Sequence, residues 1–188
     1  RRREMFSHTV TLTADEKPVR KQIEKAIEKI KKMKKSDHAN RAALFDELLA
    51  PFAALSYESV PFNDSTKVDI GRCFTIRGCE RRDLADISGA LADFEQGRKF
   101  RYPLAVDEIL ETYAFHEKNA EKTLALADRL SLDFEAKKGI GIRKATGVYC
   151  SILQAYLLQN DEAGARRTVR FIVDDLLPYL EEKDDKHP

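Results

Sequence analysis

The chain has 188 residues, 43% hydrophobic and 35% charged, with no tryptophan and a formal net charge of +1. That length carries one domain with a real core and is short for two. The near-neutral balance gives no global case for nucleic acid, and no run approaches the roughly 18 apolar residues that span a bilayer. Three cysteines, Cys73, Cys79 and Cys150, form no even-numbered disulfide framework, which points to a reducing compartment.

Charge is unevenly spread. Residues 1–35 hold twelve Lys/Arg against five Asp/Glu, whereas residues 174–188 hold six acids against two lysines. The RRREM opening, without an initiator methionine, reads as a processed chain whose presequence has gone. Residues 1–12 are expected as an arm. Thr13, Ala14, Asp15 and Glu16 have the form of a capping box, with Pro18 in the first turn of a helix running to about Lys35. Val19, Ile23, Ala26, Ile27, Ile30 and Met33 make its apolar stripe and lysines its other face. Ser36 and Asp37 open a second helix with Leu44, Phe45, Leu48, Leu49, Phe52 and Leu55 on one side, kinked at Pro51. Arm and helical hairpin together span 1–58. Pro61, Asn63, Asp64 and Ser65 then mark 57–67 as a linker and the best internal boundary.

Three helix pairs are expected over 66–181. The last, 143–181, is the clearest: Val148, Tyr149, Ile152, Leu153, Tyr156 and Leu157 recur at helical spacing, Gln159 and Asn160 interrupt, and Asp161 caps a helix carrying Ala165, Val169, Ile172 and Val173. The same pattern covers 104–136, where Tyr113 stands for Tyr156, Asn119 holds the turn, and Leu124, Ala127, Leu130 and Phe134 face inward. Over 66–97 it places Phe74 in the aromatic position, Gly78 in the turn, and Leu84, Ile87, Leu91 and Phe94 on the second helix. The aromatic positions recur after 39 and 43 residues, within the range of stacked helical repeats. Residues 182–188 form an acidic tail.

The segments YCSILQAYLLQNDEAGA and VDEILETYAFHEKNAEKTL resemble pentatricopeptide repeats: an aromatic, a hydrophobic pair, a second aromatic, a polar turn and a second helix. The resemblance implies an all-α fold, a short right-handed α-solenoid of three degenerate hairpins behind the N-terminal one. It also implies an RNA test, because the base-selecting residue of such repeats follows the first aromatic position. Those places fall at Cys150, Asp107 and Val68, poor choices beside the usual Asn, Ser or Thr: valine cannot hydrogen-bond a base edge and cysteine does so only weakly. The layout is similar to that of the non-catalytic accessory subunits of euglenozoan mitochondrial F1-ATPase. That likeness implies a chain bound to the outside of the F1 alpha subunit, on the matrix side of the inner membrane within the ATP synthase, supporting assembly or stability of the catalytic head. The alternative is an organellar single-stranded RNA-binding protein, with the first helix's lysines and Arg77, Arg81, Arg82, Arg98, Lys99 and Arg101 on phosphates.

No catalytic, cofactor-binding or metal-binding residue is expected. Gly139 and Gly141 lack the rest of a dinucleotide fingerprint, and His8, His38, His116 and His187 are dispersed. Cys150, beside Tyr149 on an apolar helix, reads as a buried inert thiol, and His116 as a helix C-terminal partner of the dipole. The residues that meet a partner are left unassigned.

Overall fold

The computed structural model describes residues 15–131 and 142–178, and every regular element among them is helical. α1 (Glu16–Lys32) buries Val19, Ile23, Ala26 and Ile30 and leaves its lysines in water. Thr13, the first residue of the expected capping box, lies outside the described residues, and the Asp15 cap makes no side-chain hydrogen bond. Glu16 instead crosses to the next segment, accepting from the Thr66 hydroxyl at 2.6 Å and the Asn63 N–H at 3.1 Å. The Thr66 bond is the largest influence holding the Glu16 carboxyl below its usual pKa.

The expected second helix is three pieces: α2 (His38–Ala43), α3 (Asp46–Leu49) and a 3₁₀ turn at Ala50–Phe52 that accommodates Pro51 near its start. Phe45, Leu49 and Phe52 are all fully buried, at the i, i+4, i+7 spacing that keeps residues on one side even though the segment is broken. α2 packs chiefly on α4 and reaches α1 through the Arg41 bond to the Ile30 carbonyl, while α3 packs on α1, so the second arm of the N-terminal hairpin is broken and shared with α4. Nor is 57–67 a boundary. Its turn residues bracket Tyr57, Val60 and Phe62, which are buried in one cluster with α1 and α4. Phe62 meets Phe52 edge-on at 6.1 Å, and Phe52 meets Phe100 at 6.4 Å.

α4 (Asp64–Asp83) is the axis of the molecule. It packs on α1, α2 and α3 and on α5 (Ile87–Lys99) and α6 (Ala105–Glu111), so it buries Ile70 and Phe74 together with Thr66, Thr75, Arg77 and Glu80 and shows no single apolar stripe. It runs straight through Gly78. A Cβ there would stand 2.6 Å from the Phe94 ring, so glycine serves close helix approach instead of a turn. The turn lies seven residues later, which makes Leu84 an exposed helix end and not an inward residue.

That shift corrects the repeat register. In the first pair, Ala85 has φ 64° and the Asp86 N–H donates to the Arg81 carbonyl at 2.9 Å. In the last, Asn160 has φ 55° and the Asp161 N–H donates to Tyr156 at 2.9 Å; in the middle, Lys118 has φ 51° and the Asn119 N–H donates to Tyr113 at 2.8 Å. Each left-handed residue closes one helix, and each following Asx side chain caps the next: Asp86, Asn119 and Asp161 accept from the N–H groups of Gly89, Lys122 and Gly164. Tyr113 and Tyr156 are therefore equivalent, and Arg81, not Phe74, is their counterpart. Phe74 belongs to the N-terminal core, stacked 6.1 Å from Phe100.

The pairs follow in chain order: α4 with α5, α6 with α7 (Ala120–Ser131), and α8 (Ile142–Leu158) with α9 (Glu162–Phe171). α6 and α9 each run on through one π-helical turn, Thr112–His116 and Ile172–Leu176. Phe94 on α5 and Ile109 on α6 share one cluster, and Leu110, Ala127 and Ile152 join α6, α7 and α8 in another. Each pair thus buries the face its predecessor offers. Gly139, Gly141, Phe134 and the acidic tail fall outside the described residues.

Candidate partner-binding surface

The last pair has nothing among the described residues to cover its outer face. Asp161 fixes the turn, and Gly164, three residues on, lets the Tyr156 ring lie against α9, where a Cβ would come within 2.4 Å of it. Inner positions Ile152, Ala155, Ala165 and Thr168 are buried. Outer ones are not: Leu157 is 55% exposed, Val169 44%, Val173 54% and Leu177 41%. Of the apolar stripes expected on this pair, Ile152 and Ala165 thus face inward while Leu157, Val169 and Val173 face solvent.

Between α8 and α9 the surface forms an open groove of about 840 Å³, its apolar lining from Leu153, Leu157, Ala165 and Val169 and its charged lining from Asp161, Glu162, Arg166 and Arg170. Arg166 is paired with Glu162 one turn back, whereas Arg170 has no ion pair among the described residues. An apolar lining beside the Arg170 guanidinium suits a helix with an apolar stripe and a flanking carboxylate, the helix-in-groove mode of recognition. Burying a large aliphatic side chain contributes roughly 1.5–3 kcal/mol, so a few half-exposed ones sustain a specific contact without reshaping the fold.

The arginines read as a phosphate-binding cluster are largely committed inside the chain. Arg77 donates to both Asp93 oxygens at 2.9 and 2.7 Å and to Asp46 at 3.0 Å, and Arg81 reaches Asp93 at 3.2 Å. Arg82 ties α4 to α6 through Glu108 at 2.7 Å and the Thr112 hydroxyl at 3.1 Å. Arg98 pairs with Glu95, and Arg101 pairs with Glu58 while lying over the Tyr57 ring. Of that group only Lys99 shows no ion pair among the described residues. The reading positions are no better placed. Cys150 is exposed, Asp107 and Val68 are half-buried, and on the turn-based register the first pair's residue is Thr75, buried and donating to the Gly71 carbonyl at 2.9 Å.

Comparison with protein families, curated proteins and solved structures gives no match. The site therefore has to be read from its own chemistry. Burial pushes the Cys73 thiol up to about 12 and raises Cys79 as well, so neither ionises near neutrality. Cys150, expected to be buried, is exposed, because α8 turns that position away from α7. Native protein treated with a thiol-reactive disulfide reagent should release one equivalent at Cys150, and three only after unfolding; rapid labelling of Cys73 in the folded state would contradict this packing. His116 ends the π turn and is exposed, and Asp174 and Asp175 are exposed on the extension of α9.

Sequence reasoning missed the buried polar ties. Asp93 and Gln96 lie on the inner face of α5, and the Gln96 amide donates to the Phe52 and Leu55 carbonyls, each at 2.8 Å. Their sequence spacing resembles any solvated polar pair; the carbonyls of Phe52 and Leu55 make Gln96 structural, and the guanidinium groups of Arg77 and Arg81 make Asp93 so.

Proposed function

We propose that this chain is a non-catalytic protein-binding module: a short pentatricopeptide-type solenoid serving as an accessory subunit of the mitochondrial ATP synthase. On this reading it docks on the outside of the F1 alpha subunit, from the matrix side, and supports assembly or stability of the catalytic head. The observation that carries the protein-binding reading is the uncovered apolar groove of α8 and α9, a face that each earlier pair buries under its successor. The choice of partner rests on the likeness of layout to euglenozoan F1-ATPase accessory subunits. The recurrence of a left-handed residue and an Asx cap at three turns supports the repeat reading, and the committed arginines favour a protein over an RNA partner. No helix among the described residues is long and apolar enough to cross a membrane.

The test is copurification of the tagged chain from its source organelle at high salt, where an apolar contact persists and phosphate contacts are lost. The expected result is retention of the F1 alpha subunit. Single-stranded RNA titrated at low and high salt should show no binding. A monomer recovered without F1 overturns the partner, and tight, steeply salt-dependent RNA binding overturns the class.

A further inference from the structure

A second site, unconnected with the groove, lies where α2 meets the end of α4. Glu80 and Asp83 are three residues apart on α4 and share a face, and His38 opens α2 directly above them. His38 Nδ1 stands 2.7 Å from Glu80 Oε2 and 3.6 Å from Asp83 Oδ2, and the three ligand atoms lie within 4.8 Å of one another. Tetrahedral zinc with bonds of about 2.0–2.1 Å places its ligands roughly 3.3 Å apart, a spacing bracketed by those separations.

The groups behind the triad favour this use. Glu80 is buried, and Arg41 holds its Oε1 with two donors at 2.8 Å, leaving Oε2 turned toward His38. Arg41 is itself fixed by donating to the Ile30 carbonyl at 3.0 Å. An orienting partner of this kind is what metal-ligating carboxylates ordinarily have, although its positive charge also moderates affinity. Asp83 is exposed, and three protein ligands leave one position for water.

We propose that His38, Glu80 and Asp83 form a divalent transition-metal site, best suited to zinc, in which the ion fastens α2 to α4. The imidazole supplies Nδ1 as its neutral form, each carboxylate supplies one oxygen, and any proton shared between His38 and Glu80 leaves to solvent on binding. The proposal stands independently of the partner named above.

Zinc chloride alone is the probe, read by thermal unfolding and by titration calorimetry, with cobalt(II) as a spectroscopic substitute. The wild-type chain is expected to bind one zinc saturably at micromolar concentration and to gain at least about 4 °C in Tm at a hundredfold excess over Kd. Cobalt should give the intense visible bands of a four-coordinate ion. Asp83→Asn and His38→Ala, both at accessible positions, should each weaken binding at least about tenfold while preserving helical circular dichroism. The absence of saturable binding overturns the site, as does a shift retained in Asp83→Asn, which would place the ion elsewhere. Should His38→Ala unfold, Asp83→Asn decides alone.

Discussion

Replacing Asp93 by alanine is expected to remove about 3–5 kcal/mol of unfolding free energy, read as a fall in the urea midpoint at unchanged slope. The size follows from what is left behind. Asp93 is almost wholly buried and accepts from both Arg77 and Arg81, and Arg77 is itself buried between α4 and α5 with Asp46 as its other ion-pair partner among the described residues. Burial works against the Arg77 charge, yet the bonds to Asp93 and Asp46 outweigh it and hold its pKa above the ordinary arginine value. Removing the carboxylate strands a charge that cannot be shed. The double variant Arg77→Met with Asp93→Leu should be markedly less harmful than Asp93→Ala, because two apolar groups leave nothing unpaired. Equal losses would mean that the pair contributes packing alone.

A second large effect is expected at Gly78, with a sign that distinguishes two meanings of glycine in a helix. Gly78→Ala should destabilise by about 1–3 kcal/mol, because the new methyl would meet the Phe94 ring at 2.6 and 2.8 Å and the Ala90 carbonyl at 3.1 Å, forcing α4 and α5 apart. Gly147 is also helical, but a Cβ there meets nothing within 4 Å, and Gly147→Ala should stabilise by up to about 1 kcal/mol. Paired urea titrations check both. A neutral or stabilising Gly78→Ala would show that the close crossing of α4 and α5 is wrong.

These two residues also show where the sequence was readable. The second and third pairs were legible because their helices border solvent on one side: the apolar period is clean, and Asn119 and Asp161 mark the turns through their own chemistry. α4 was illegible for the opposite reason. It is covered on several sides, so polar Thr75, Arg77 and Glu80 are buried among apolar residues and no stripe survives. In that setting Gly78 resembled a turn, Leu84 resembled a core residue, and Phe74 took a repeat position that belongs to Arg81. The Tyr57–Lys67 stretch failed similarly, since turn residues announced a linker while the three hydrophobics among them filled the core. The partner surface was present in the sequence as Leu157, Val169 and Val173, but periodicity reveals that a face is apolar and not whether anything covers it. His38 could not have been linked to Glu80 and Asp83, more than forty residues away, before the packing of α2 on α4 was known.

The uncovered face of the last hairpin is where a partner is proposed to dock. The most direct measurement compares the tagged wild-type chain with Leu157→Asp/Val173→Asp in high-salt copurification from the source organelle, alongside thermal unfolding of both. Leu157 and Val173 are more than half exposed, so the variant should keep the wild-type Tm while losing nearly all of the F1 alpha subunit that the proposed docking would have the wild type retain. Retention of that subunit at the wild-type level by a folded variant would contradict it.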